Sequence, residues 1–159
     1  MADIPLPIAI AALVKDGRIL LIKRVRGDYI GLLGLPGGKI EKSEHVSQAA
    51  VREVFEESGI ESKFKKHLGF VSEHIVENGN VIQHLMLHVC ELEPQTDDIF
   101  KGSEGNVEWF PIDELAGMKE RIIPSDFLII ENMVLGDKTG YFECVLEKQG
   151  ENYILRRFE

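Results

Sequence analysis

Apolar residues cluster into paired runs separated by turn formers. Ile8 to Val14 and Arg18 to Val25 are rich in aliphatic residues and flank Lys15-Asp16-Gly17, which predicts a hairpin at the start of a central sheet. Lys63 to Val76 and Val81 to Glu93 repeat the arrangement around Glu77-Asn78-Gly79-Asn80, and Tyr141 to Glu147 and Asn152 to Phe158 repeat it around Gln149-Gly150-Glu151. The last pair could extend the sheet, cap a pocket or form a dimer contact, and its residues select none of these. Glu108 to Phe110 reads as a short strand. Helical spacing appears twice. One helix follows Ser43 as N-cap, with Glu44 in its first turn and a stop at Ser58-Gly59. The other runs from Pro124 to Leu135, with Ser125-Asp126 near its start, Phe127, Ile130 and Val134 on its apolar face, and Gly136 at its end. Between Arg26 and Gly38, five glycines and one proline predict a loop that turns tightly and lets backbone approach a ligand.

Composition narrows the classes. The 159 residues suit one domain with a sizeable core, spanning 1–159, and 44% hydrophobic with 28% charged residues is ordinary for a globular chain. A formal charge of −9 argues against a nonspecific nucleic-acid or anionic-membrane surface, so neither nucleic acid nor membrane is expected as a partner. The apolar run from Ile4 to Val14 is broken by Pro5 and Pro7, too short to cross a bilayer and poorly built for a signal peptide, and a cytoplasmic location is expected. Cys90 and Cys144 form no C-x-x-C or zinc spacing and read as buried thiols. His74, His84 and His88 lack the further ligands of a closed zinc site; they read as core or pocket-wall residues, with Met86 as packing.

Candidate chemistry changes the picture most between Gly38 and Ile60. At about 100° per residue, Glu53, Glu56 and Glu57 fall within an arc of roughly 100° on the first helix. Like charges at this spacing repel, and a divalent cation would reverse that effect. A solvated acidic face is the competing reading for such a run taken alone.

The neighbouring residues decide between them. Gly38, Glu44, Arg52-Glu53-Val54, Glu56-Glu57 and Gly59-Ile60 fit G-x5-E-x7-R-E-U-x-E-E-x-G-U without a gap, U being a bulky aliphatic residue. The chain therefore resembles the Nudix (MutT-like) hydrolases, in a box covering 38–60, extended by Leu35-Pro36-Gly37 before it and Glu108-Trp109-Phe110-Pro111 after it. Many relatives carry Trp where Leu33 stands, so no aromatic role is expected there.

The resemblance implies an α/β (α+β) fold: a Nudix-type α/β/α sandwich with a mixed sheet between helices, here with an added C-terminal β-hairpin at about 140–158. It implies hydrolysis of a pyrophosphate bond in a nucleoside diphosphate linked to another group, dependent on Mg²⁺, with Mn²⁺ as a substitute. Glu53, Glu56, Glu57 and the Gly37 carbonyl are the implied metal ligands. Glu53 is also the first choice to orient or deprotonate the attacking water. Arg52 would steady a glutamate through a charge-assisted hydrogen bond, and Glu44 would serve the outer metal shell or simply the helix start. Glu108 and Glu104 are two candidates for a further acid. Arg24 and Lys39, with Lys23 and Arg26 nearby, are candidates for phosphate contacts, each equally readable as a solvated strand or loop end. A small-molecule nucleotide is the expected partner, and a homodimer is open. A nucleoside triphosphate or modified nucleotide leads as substrate, ahead of ADP-ribose and nucleotide sugars. A noncatalytic nucleotide-sensing module is the alternative from another class; the complete acid set argues against it, and the acidic total argues against RNA decapping.

Overall fold

The computed structural model describes residues 4–100 and 106–159. The elements, in chain order, are β1 (Leu6–Lys15), β2 (Arg18–Lys23), β3 (Leu33–Gly34), β4 (Gly37–Lys39), α1 (Val46–Ser58), β5 (Ser62–Glu77), β6 (Asn80–Pro94), β7 (Asn106–Pro111), a 3-10 segment Ile112–Arg121, α2 (Pro124–Ile129), β8 (Gly140–Gln149) and β9 (Asn152–Phe158). The strands form one curled mixed sheet in the order β3-β2-β1-β6-β5-β8-β9, with β4 added on β1 and β7 on β2.

Two hairpins form where the turn chemistry predicts them. Asp16 and Gly17, and likewise Asn78 and Gly79, take positive φ, the backbone that a two-residue turn needs to match the strand twist. The first hairpin then forks. β1 pairs with β2 only at Val14↔Ile19 and Lys15↔Arg18; beyond that, its Ile8–Ile10 stretch pairs with β4, and its other edge runs parallel to β6. β2, released from β1, carries β3 and β7 instead. The fork curls the sheet and opens a cleft beside Gly37 and Gly38.

Strand alternation sorts the core into two layers. Ala9, Ala11 and Leu13 meet Ala49, Ala50 and Val54 of α1 with Cys90 and Leu92, the alanines letting helix and sheet approach closely. Ile10, Val71, Ile75, Leu87 and Val89 face the other way, onto Ile122, Ile123, Phe127 and Ile130. Helical elements thus cover both faces of a mixed sheet.

Several local expectations need correction. α1 starts at Val46 with His45 as N-cap, not at Ser43; His45 N–H donates to Gln48 Oε1 at 2.7 Å. Glu44 therefore lies before the helix, where its carboxylate reaches Arg52 rather than serving the first turn. The second helix changes pitch at Ile130–Val134 into a π-turn, with Leu135 N–H donating to the Ile130 carbonyl at 2.8 Å. The 3-10 segment was not foreseen. The C-terminal strands do extend the sheet: β8 runs parallel to β5, and β9 pairs with β8.

Candidate active site

α1 is pinned by its apolar arc, so its acids are turned toward β4 and the glycine-rich loop. Arg52 holds them together. Its Nε and Nη2 donate to the two Glu44 oxygens at 2.5 and 2.9 Å, its Nη1 to Glu53 Oε1 at 2.9 Å and Glu56 Oε1 at 3.0 Å, and its Nη2 also to the Lys39 carbonyl at 3.1 Å. These bonds depress the Glu44 pKa and raise that of Arg52, the Arg52–Glu44 hydrogen bond contributing most to both. The guanidinium is thus fully engaged by protein and acts as a positioning group. Glu57 is turned elsewhere, its Oε1 accepting the Gly37 N–H at 3.0 Å.

The paired glycines set how closely strand and acids approach. A Cβ on Gly38 would sit 2.5 Å from Glu53 Cδ and 2.6 Å from both carboxylate oxygens; one on Gly37 would collide with the Ala9 carbonyl and the Ile10 Cα of β1. Among the described residues, no three acidic, histidine or cysteine side chains are already gathered about one point where an ion would sit. The carboxylate oxygens of Glu53, Glu56 and Glu57 nevertheless suit a hard cation, beside a cradle that a single methyl would fill. A cation there would compete with Arg52 for Glu53 and Glu56.

Two cavities meet at this strand. A cleft of about 450 Å³ is lined by Glu53, Glu56 and Glu57 on one side and Lys23, Arg24 and Arg26 on the other. An adjoining cavity of about 290 Å³ runs between Leu6, Ile8, Leu85 and Leu87 of the sheet and Tyr29, Leu35 and Ile123. Arg24, Gly37, Gly38 and Lys39 line both, and so stand at their junction.

The floor of the smaller cavity is acidic. Tyr29 OH donates to Glu73 Oε2 at 2.7 Å, and Leu35 N–H donates to Asp126 Oδ2 at 2.9 Å. Both carboxyls are buried. Burial, reinforced by the neighbouring Glu73, pushes Asp126 up to about 7; burial also raises Glu73, against the opposing influence of Ser125 and Tyr29. The C-terminal hairpin braces this wall, because Tyr153 OH accepts the Tyr29 N–H at 3.2 Å and the two rings pack 4.5 Å apart.

The structure brings Gly37, Arg24, Lys39, Glu53, Glu56 and Glu57 to one cleft, with Arg52 bonded behind the acids. Arg24 is partly committed to its own loop, donating to the Asp28 and Arg26 carbonyls at 3.2 Å each. Glu108 lines neither cavity. It pairs with Leu21 on the sheet face away from α1, whereas its neighbours Val107 and Trp109 join the α1 layer. Alternation along β7 therefore directs its carboxylate away from the acid cluster. Glu104 lies outside the described residues. His84 and His88 are not pocket wall: Gln83, Leu85 and Leu87 line the cavity, and the intervening histidines point to the opposite face, where they meet His74, Ser72 and His67. Glu73 and Tyr29 escaped notice in the sequence, and Asp126 was read only as a helix-start residue. Period-2 alternation through Val71, Glu73 and Ile75 was the available signal for Glu73.

Fold and site together define a class: a curled mixed sheet between helices, with an acidic helix laid against a Gly-Gly strand that separates a charged cleft from an apolar cavity. The chain belongs to the NUDIX family, since the NUDIX domain model matches residues 5–133. It is 48% identical over 58 residues to the ADP-ribose pyrophosphatase of Methanocaldococcus jannaschii, covering 36% of this chain and 34% of that protein. It is 41% identical over 78 residues to the CTP pyrophosphohydrolase of Escherichia coli, covering 48% and 56%. The chain thus matches well under two thirds of either relative's length. The crystal structure of a MutT protein from Bacillus halodurans superposes with a TM-score of 0.77 at 22% identity, over 97% of this chain and 96% of that one, and shares its fold.

Proposed function

We propose that this chain hydrolyses a pyrophosphate bond in a nucleoside triphosphate or modified nucleotide, using Mg²⁺ or Mn²⁺. The observation that carries this reading is the junction of the two cavities at Arg24, Gly37, Gly38 and Lys39. A nucleotide laid across it puts its phosphates over the acids and its base in the apolar cavity. At about 290 Å³ that cavity is at the small end of ligand sites, suited to one nucleoside.

Glu53, Glu56, Glu57 and the Gly37 carbonyl would hold the cation. A bound Mg²⁺ or Mn²⁺ supplies positive charge that offsets the phosphates and makes water a better nucleophile near neutral pH. The chain's own residues do the rest. Arg52 fixes the approach of Glu53 and Glu56, Glu53 orients the attacking water and takes its proton, and Lys39 and Arg24 meet the phosphate oxygens at the junction. ADP-ribose, the substrate in the name of the Methanocaldococcus relative, remains the second candidate.

Phosphate or pyrophosphate release with Mg²⁺ from nucleoside triphosphates, nucleotide sugars, ADP-ribose and dinucleoside polyphosphates tests this, with wild type beside Glu56→Gln. Turnover of triphosphates that disappears in the variant is the expected result. Equal, negligible rates across the panel would overturn the hydrolase reading in favour of a sensing module.

A further inference from the structure

The loop that carries Arg24 into the junction of the two cavities is anchored through Tyr29. Between β2 and β3, Val25, Arg26, Gly27, Ile30 and Gly31 are exposed, whereas Tyr29 is buried. Tyr29 stands there at φ 64°, a left-handed backbone that is unfavourable for a bulky residue and persists only where the surroundings enforce it. Two bonds enforce it, one at each end of the residue. The Tyr29 hydroxyl donates to Glu73 of β5 at 2.7 Å, and the Tyr29 backbone N–H donates to the Tyr153 hydroxyl of β9 at 3.2 Å. Tyr153 OH in turn donates to Asp28 Oδ1 at 3.3 Å, and its ring packs on that of Tyr29 with centroids 4.5 Å apart. A tyrosine hydroxyl both accepts and donates, so one atom holds two successive loop residues.

From Asp28 the connection runs to the phosphate end of the site. The Asp28 carbonyl accepts Arg24 Nε and the Arg26 carbonyl accepts Arg24 Nη2, at 3.2 Å each, so the path of the loop decides where the guanidinium stands. That guanidinium belongs to a residue lining both cavities. Tyr153 itself lies beyond residue 133, where the match to the NUDIX domain model ends, so the family relation assigns it no part in the reaction.

Resting on the nucleotide reading above, we infer that Tyr153 is a positioning residue: its hydroxyl latches loop 25–31 in the closed shape that sets Arg24 at the junction before substrate arrives. Without the latch a smaller fraction of molecules holds the binding-competent loop, and apparent affinity falls with that fraction. Bound nucleotide would restore the loop in the complex, while the acids keep their own brace in Arg52. The loss therefore shows in KM rather than in kcat.

Tyr153→Phe removes the hydroxyl and keeps the ring. Two readouts apply to it: kcat and KM for the best triphosphate with Mg²⁺, and trypsin cleavage of the native, metal-free chain after the exposed Arg26, located by mass spectrometry, which needs no catalysis. KM and the rate of cleavage after Arg26 are each expected to rise about three- to tenfold, the worth of a hydrogen bond, with kcat within about twofold of wild type. Phe158→Leu is the control, because it loosens the far end of β9, where Phe158 stacks on Phe142 with centroids 5.1 Å apart. It should lower Tm and leave KM and cleavage after Arg26 as in wild type. Equal rises in the two variants would overturn the inference in favour of general loosening of the hairpin, and an unchanged KM or unchanged cleavage in Tyr153→Phe would overturn it outright. Faster cleavage after Arg26 in Tyr153→Phe, with no triphosphate turned over by wild type, would sink the hydrolase reading and leave the latch standing.

Discussion

Adding one methyl at Gly38 separates the site from the fold. A Cβ there would lie 2.5 Å from Glu53 Cδ, whereas carbon atoms pack at about 3.5 Å or more, so the Glu53 carboxylate must retreat by about 1 Å. The obstructing atoms are the far end of a flexible side chain. Moving them off a preferred rotamer costs about 0.5–1.5 kcal/mol, and the 2.9 Å bond to Arg52 is disturbed as well. For a chain of this size, a loss of 1 kcal/mol lowers Tm by about 2–4 °C. A misplacement of 1 Å in a reacting group can cost about a hundredfold in rate. Gly38→Ala is therefore expected to lose only a few degrees in Tm and about two orders of magnitude in kcat/KM. Gly37→Ala is the control, because its methyl meets backbone of β1 rather than a movable side chain. Overpacking against fixed backbone costs about 1–3 kcal/mol or more, so Gly37→Ala should show the larger drop in Tm. Calorimetry and Mg²⁺-dependent product release on the same preparations read both quantities. Near-wild-type turnover in Gly38→Ala would refute Glu53 as a group at the reacting centre, and equal Tm losses in the two variants would refute the difference in what each methyl meets.

Arg52→Lys keeps the charge but not the planar fork that reaches Glu44, Glu53, Glu56 and the Lys39 carbonyl. Turnover should fall by about 10–100-fold, as for loss of an outer-shell partner, and a wild-type rate would show that the fork positions nothing. Asp126, raised to about 7 from 3.8, binds more protons folded than unfolded across that interval, so it draws stability down as pH rises from about 4 to 7. Asp126→Asn, which keeps an acceptor for the Leu35 N–H, should flatten that decline by at most about 1.4 kcal/mol per pH unit; denaturant midpoints at pH 4.5, 5.5 and 6.5 that fall in parallel for both proteins would contradict it. Cys90 and Cys144 are buried, and burial pushes the Cys90 thiol up to about 11 and raises Cys144 as well. A thiol reagent at pH 8 should label neither until denaturant is added, and prompt labelling of the folded chain would show that one of them is accessible.

What the sequence discloses and what it hides follow from how far each residue's job is local. The two Asp/Asn-Gly hairpins and the stop at Gly59 were legible because turn and cap geometry depend on a few adjacent residues. The acid face was legible because 3.6-residue spacing alone places Glu53, Glu56 and Glu57 together. The start of α1 was misread by two residues because the capping pair is His45 and Gln48, and histidine is not among the usual N-cap residues that Ser43 exemplifies. Glu108 looked available for the site because its strand was recognised without its partner; pairing with Leu21 is what settles the face it points to. The cavity floor was the hardest part. Its carboxyls stand on β5 and at the start of α2, more than fifty residues apart in the chain, and they meet only because the sheet sets β5 opposite that helix. Yet the clue to it was an internal inconsistency rather than a motif: an acid in an aliphatic row is tolerated by a fold only if something else needs it. Motif and geometry thus inform on different ends of the proposed substrate. The local motif gathers the acids of the charged cleft, while the lining of the apolar cavity is decided by nonlocal contacts that bring Glu73, Tyr29 and Asp126 together.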